Sequence, residues 1–310
     1  MTIAETAKHL RAQDDILVIT HVRPDGDTIG SGSALCYALQ KLGKKAYLYN
    51  NPQFGDAYPW VSDKYVAPEG FKPQFIVAVD LADVGLFPKG FDGKVDLCID
   101  HHGSNTFYAA ETLLCAEKAS CGEIIQELVK ELLGKLDPAV ADLLYIAVST
   151  DTGCFCYGNT TGDTLSAAAE LCYAGAANAY LNKTLFRTSS KERLALEGLI
   201  FSSLRYYSEG KTVIAVVTKE MLEKSGAKDS DLKDIASLPG RVEGAFASAV
   251  IKESEDGKCK ISLRTTGVVN ANKICSMFGG GGHAMASGCM MEKSCLEAAE
   301  ILAEAIDKEY

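Results

Sequence analysis

His21, Asp25 and Asp27 fall within seven residues, in His21-Val-Arg-Pro-Asp25-Gly-Asp27-Thr-Ile-Gly-Ser31. Similar chemistry recurs three times: Asp80 closes Phe75-Ile-Val-Ala-Val-Asp80, Asp100-His101-His102 closes Val95-Asp-Leu-Cys-Ile, and Asp151 follows Ala147-Val-Ser-Thr. The chain has five histidines, and four of them (His21, His101, His102, His283) sit in aspartate-rich or glycine-rich clusters. Bare carboxylates repel a phosphate and become useful to one only when a cation lies between them. Mixed imidazole and carboxylate donors suit manganese or a similar divalent ion, with magnesium, cobalt or iron as alternatives, better than a thiolate-loving metal. His21, Asp25, Asp27, Asp80, His101 and Asp151 are enough donors for two divalent ions, which two-metal hydrolases hold about 3.5–4 Å apart. Any one of these aspartates alone would read as a helix cap or turn residue, and Asp83, Asp92 and Asp96 are read that way.

Positioning these clusters requires strands that run the same way. Ile16 to Thr20, Ala46 to Tyr49, Phe75 to Val79 and Val95 to Ile99 are short, β-branched runs bounded by turn residues, which predicts strands. Ile29 to Leu42, Gly122 to Leu133 and Pro138 to Val148 carry helical periodicity. Alternation of strand and helix predicts an α/β domain with a mainly parallel sheet flanked by helices. In such a sheet the carboxyl ends of the strands form the ligand edge, where the clusters would meet. Helices dominate from Thr164 to about Leu204. Beyond them, Lys211 to Val217, Gly244 to Ile251 and Lys258 to Arg264 read as strands, and Asn270 to Met277 and Leu296 to Ile306 as helices. The expected organisation is a larger domain over 1–190, a helical connection over 191–209 and a smaller α/β domain over 210–310, with the active site in the cleft between the domains. The run Glu253-Ser-Glu-Asp256 reads as a polar hairpin turn.

Composition narrows the function classes. The 310 residues are 47% hydrophobic and 23% charged, ordinary for a globular chain. No apolar run approaches the ~18 residues that span a bilayer. The eleven cysteines form no CxxC, which predicts reduced thiols in a cytoplasmic protein. A formal charge of −10 argues against long duplex DNA as a ligand, because phosphate contacts dominate that affinity. A dinucleotide-binding redox fold fails at the first turn, where two aspartates replace the glycine fingerprint.

The four segments, in this order and at this spacing, resemble the motifs of the DHH phosphoesterase superfamily. Phe278-Gly-Gly-Gly-Gly-His283-Ala-Met-Ala-Ser-Gly288 resembles the GGGH motif of the DHH-associated substrate domain. The combination is similar to the nanoRNase type, the bifunctional oligoribonucleases and 3′-phosphoadenosine-5′-phosphate (pAp) phosphatases. The resemblance implies one metal held by His21, Asp25 and Asp80 and a second held by Asp27, Asp80, His101 and Asp151. It implies that Asp100 orients a ligand and that His102 faces the phosphate. The substrates implied are short RNA, dinucleotides or pAp. Cys156 departs from the pattern, standing where relatives often carry a basic residue, and Arg187 or Arg264 would have to substitute.

In the second half, Gly280, Gly281 and Gly282 suit a close backbone approach to phosphate, with their N–H groups forming an anion nest and His283 adding a donor. The resemblance implies that Arg264, in a Ser-x-Arg setting, contacts phosphate, and Asn270 is a further substrate-binding candidate. A soluble pyrophosphatase sharing the same core, and a nucleotide sensor without catalysis, are the rival readings. The GGGH motif speaks against the first and the full ligand set against the second. A homodimer is expected from base rates alone.

Overall fold

The computed structural model describes residues 1–52, 59–232, 234–254 and 257–310. The chain forms two compact units, Met1–Thr188 and Ser189–Tyr310.

The first unit contains α1 (Ile3–Ala12), β1 (Ile16–Ile19), α2 (Gly26–Lys41), β2 (Ala46–Leu48), α3 (Pro59–Ser62), β3 (Phe75–Val79), β4 (Leu97–Asp100), β5 (Glu111–Leu114), α4 (Cys121–Leu133), α5 (Pro138–Asp151), α6 (Gly162–Tyr173) and α7 (Asn178–Phe186). Its five strands are all parallel, in the order β2-β1-β3-β4-β5. A parallel sheet must be covered on both faces, and alternation along β1 shows how. Ile16 and Val18 enter the core shared with the helices, while Leu17 and Ile19 join Ala78, Leu81 and Cys98 on the other face. There the cover comes from aromatic residues of the connections, with Phe87 stacked edge-on against both Phe91 and Tyr108.

Helix α2 begins at Gly26, three residues before the periodicity predicts, because Asp25 caps it by accepting from the Thr28 amide. It is buried over most of its length. Small residues make this possible: a Cβ at Gly30 would lie 2.5 Å from the Leu143 carbonyl, so α2 and α5 pack closely only because it is glycine. Strand β5 was not anticipated. It is a half-exposed edge strand of four residues, too short and too polar to carry a buried-strand pattern.

The second unit contains α8 (Lys191–Ser202), β6 (Arg205–Tyr207), β7 (Thr212–Val217), α9 (Lys219–Ser225), β8 (Ala247–Glu253), β9 (Cys259–Thr265), α10 (Ala271–Ser276), β10 (Gly281–His283), β11 (Ala286–Met291) and α11 (Cys295–Asp307). Its sheet runs β10-β11-β9-β8-β7-β6, parallel only between β7 and β8. The segment 191–209, expected as a connection, is α8 and β6, and Leu196 and Ile200 of α8 pack with Ala215, Val217 and Val250 into a core of this unit. Helices α10 and α11 contribute to a second core on β8, β9 and β11. In the expected hairpin turn, Glu255 and Asp256 lie outside the described residues.

Candidate metal centre

Asp25 and Asp27 start α2 just beyond β1, Asp80 follows β3, His101 and His102 follow β4, and Asp151 ends α5. Because β1, β3 and β4 are adjacent and parallel, the ends of these strands lie side by side. The result is a set of overlapping donor groups: His21, Asp25 and Asp80; Asp27, His101 and Asp151; and Asp80, His101 and His102. All six predicted ligands are thus in one place, with Asp80 between the first two groups.

Each ligand is held differently. His21 Nε2 lies 3.6 Å from Asp25 Oδ2 and 3.8 Å from Asp80 Oδ2. His101 Nε2 faces three carboxylates, Asp80 Oδ1 at 3.4 Å, Asp151 Oδ2 at 3.6 Å and Asp27 Oδ2 at 3.8 Å. The other ring nitrogen of His101, Nδ1, lies 3.2 Å from the Lys118 carbonyl. A carbonyl only accepts, so Nδ1 carries a proton there, and Nε2 is the nitrogen turned toward the carboxylates.

Asp27 is fully buried, and two helix N-termini support it. It belongs to the first turn of α2, and it accepts from the first two amides of α4, Cys121 at 2.7 Å and Gly122 at 2.9 Å. Ser31 Oγ adds a third donor at 2.8 Å. Even so, burial and then the charges of Asp80 and Asp151 push its carboxyl well above the ordinary range.

Asp80 has φ +56°, a left-handed backbone that a non-glycine residue rarely adopts. Thr28 Oγ1 donates to its Oδ2 at 2.5 Å. Its Oδ1 is buried and accepts no hydrogen bond. An unpartnered buried carboxylate oxygen is costly unless something cationic meets it.

Asp151 is raised to about 6 by burial and by Asp80 and Asp25, against the pull of His101. It also sits at the C-terminal end of α5, where the helix dipole disfavours an anion. His101 is raised to about 10: burial opposes the charged ring, but Asp80, Asp27 and Asp151 overcome it. At Asp25, burial is outweighed by His21 and the Thr28 amide, which hold its carboxyl at about 2. The cluster as a whole attracts positive charge, and the orphan oxygen, the crowded carboxylates and the Nε2 lone pairs fit divalent cations.

Asp100 plays another part. It is fully buried and accepts from the His101 amide at 2.9 Å, from Asn105 Nδ2 at 2.6 Å and from His102 Nδ1 at 2.8 Å. This fixes the His102 ring with its Nε2 edge directed away from Asp100, and the Asp100 contact raises the basicity of the ring. His102 lines a cavity of ≈ 270 Å³ with His21, Arg23, Asp25, Asp80 and Asp151.

The chain's segments match two family models, the DHH family N-terminal domain over residues 15–148 and the DHHA1 domain over residues 209–309. Along 315 aligned residues it is 33% identical to the bifunctional oligoribonuclease and PAP phosphatase NrnA of Thermus thermophilus, covering 99% of this chain and 93% of that one. The chain belongs to the DHH family. It is a hydrolase of that family. The fold is shared with an exopolyphosphatase-related protein from Bacteroides fragilis, at a TM-score of 0.81 and 23% identity over 99% of this chain and 96% of that one. It is also shared with Thermus thermophilus RecJ, whose crystal structure is a complex with Mn2+, at a TM-score of 0.53 and 15% identity over 99% of this chain and 55% of that one.

Several supporting groups of this DHH site escaped the sequence reading. Thr28 and Ser31 stand three and four residues beyond Asp25 and Asp27, a helical spacing that would have flagged both. Asn105 lies four residues past His101, inside the motif itself. The Cys121 and Gly122 amides left no signal at all. The residues read as ordinary behave so: Asp83 accepts from the Gly85 amide, and Asp96 from the Ile76 amide.

The substrate candidates of the second unit divide. Arg264, Gly280, Gly281 and His283 line one cavity of ≈ 610 Å³ with Lys260 and Ser262. Ladder register explains the grouping: Arg264 pairs with Ala286 and Ala286 with His283, while Ser262 pairs with Gly288 and Gly288 with Gly281. Gly282 and Asn270 are not among the lining residues, and Asn270 caps α10 by accepting from the Lys273 amide. The glycine run, expected as a nest of free N–H groups, leaves α10 and becomes the edge strand β10. A Cβ at Gly280 would meet the Gly288 carbonyl at 2.2 Å, so glycine is needed there for the strand to approach β11. Cys156 is exposed, with its thiol against the Cys154 carbonyl.

Proposed function

We propose that the protein is a two-cation phosphoesterase that cleaves short oligoribonucleotides and dinucleotides to mononucleotides and converts pAp to AMP. The observation that carries this reading is buried Asp80, whose Oδ1 accepts no hydrogen bond and which shares donor groups with His21 and Asp25 on one side and with His101 and His102 on the other. His21, Asp25 and Asp80 would hold one ion, and Asp27, Asp80, His101 and Asp151 the other. The RecJ relative that carries Mn2+ and the oxygen and nitrogen donors favour manganese. Divalent ions in such a site supply a nucleophile at neutral pH and neutralise phosphoryl charge.

The chain's own residues do the rest. Thr28 and Ser31 orient Asp80 and Asp27. Asp100 accepts from His102 Nδ1 and so favours the protonated ring, whose outward Nε2–H could donate to a phosphoryl oxygen or to the departing oxygen. Arg264, His283 and the open face of β9, β11 and β10 in the second unit would bind the remainder of the nucleotide. The NrnA relative supports this choice of substrates. The acidic chain disfavours long duplex DNA, and its free cysteines suit a reducing cytoplasm.

Purified protein should be incubated with Mn2+ and, separately, with pApA, pAp and pyrophosphate. AMP from the first two supports the reading. Phosphate from pyrophosphate alone would transfer the protein to a pyrophosphatase role.

A further inference from the structure

Arg23 lies in the turn between β1 and α2, and its side chain lines the same ≈ 270 Å³ cavity as His21, Asp25, Asp80, His102 and Asp151. It is the one lysine or arginine among those lining residues. A guanidinium facing three carboxylates would ordinarily pair with one of them. Arg23 does not: it is exposed, and its guanidinium makes no ion pair or hydrogen bond among the described residues. The turn that carries it is anchored. The Val22 amide donates to the Leu86 carbonyl at 2.7 Å, Asn51 Nδ2 donates to the His21 carbonyl at 3.0 Å, and Pro24 is buried. Contacts on both sides therefore hold the Arg23 backbone in place.

His102 lines the same cavity. A cavity lined by carboxylates, an imidazole and an arginine suits a ligand that combines cations with phosphoryl oxygens. Neither Arg187 nor Arg264 lines this cavity. Arg187 follows the end of α7, and Arg264 belongs to the second unit.

We infer that Arg23 binds the non-bridging oxygens of the scissile phosphate. The inference rests on the phosphoesterase reading. A planar guanidinium can engage two oxygens at once, and such a contact strengthens as charge develops on them.

The test compares wild type with Arg23→Ala and Arg23→Lys in saturating Mn2+, using pApA. Calorimetric titration with Mn2+ and with AMP accompanies the kinetics. Arg23→Ala should lose about 10²-fold in kcat/KM, a typical cost for one charged donor to a transition state. Its AMP affinity should fall while its Mn2+ stoichiometry and affinity stay at the wild-type values. Arg23→Lys should recover only part of the loss, and added guanidinium should restore activity to the alanine variant. An Arg23→Ala enzyme within twofold of an active wild type, with unchanged AMP affinity, overturns the inference and leaves the phosphoesterase reading intact. A wild type inactive on pApA and pAp overturns that reading instead. Loss of Mn2+ binding in Arg23→Ala would show that the arginine shapes the cation site, which also overturns the inference.

Discussion

The carboxylate cluster of the first unit and the β9–β11–β10 face of the second handle charge in opposite ways. In the cluster, Asp27, Asp80 and Asp100 are buried, and each is held by side chains or amides from elsewhere in the chain. On the other face, Arg264 and His283 are exposed, and among the described residues the only hydrogen bond from the Arg264 side chain goes to the neighbouring Leu263 carbonyl. A cation site gains strength from a rigid, dehydrated cage, because reorganisation would weaken every charge–charge contact. A platform for an anionic, variable ligand works with solvated donors on a rigid sheet. The contrast implies that damage to the first region removes catalysis, whereas damage to the second weakens binding.

The largest effect should come from Asp80→Ala. Removing the shared ligand should lower kcat by about 10³-fold or more and reduce the number of Mn2+ ions bound, read by steady-state kinetics and calorimetry. Wild-type turnover in this variant would end the two-cation assignment.

Asn105→Ala comes next. It strips one donor from buried Asp100 and loosens His102, and indirect ligand supports of this kind are worth about 10–100-fold in activity or metal affinity. A normal rate would mean that the Asp100 network does not position His102.

For Arg264→Ala, KM on a dinucleotide should rise about tenfold with kcat and Mn2+ affinity nearly unchanged. A fall in kcat with constant KM would erase the proposed division of labour between the two regions.

The smallest effect is expected at the scaffold of the cluster. Tyr37 on α2 donates to Asp137, the cap of α5, at 2.5 Å, and these two helices carry Asp25, Asp27 and Asp151. Tyr37→Phe should cost about 1 kcal/mol of stability in thermal melts at neutral pH. Burial is the largest single influence and raises the Asp137 pKa, but Tyr37 and the Val140 and Ala139 amides together outweigh it, so the folded value lies below 3.8. The charged form is thus favoured by folding. That contribution is complete above 3.8 and is lost as pH falls through the lower folded value. The melting difference between wild type and Tyr37→Phe should therefore narrow below about pH 3.8. A constant difference down to pH 2 would detach it from Asp137 ionisation.

The sequence by itself determined the α/β class, strands β1 to β4 and the six cation-site candidates, because buried parallel strands are continuous apolar runs and three of the four ligand clusters abut one, the fourth ending α5. Tertiary structure alone decided the rest. The order β2-β1-β3-β4-β5 makes the ends of β1, β3 and β4 neighbours, and the Gly30 contact brings α5 and its Asp151 against α2. The amides of Cys121 and Gly122 reach Asp27 across more than ninety residues, and backbone N–H groups leave no trace in a sequence. The glycine run shows the same limit from the other side. Composition marks it as permissive, but only the approach of β11 decides that it becomes an edge strand. Local chemistry is written in residue types, whereas the meeting of groups distant in the chain depends on packing that no local pattern encodes.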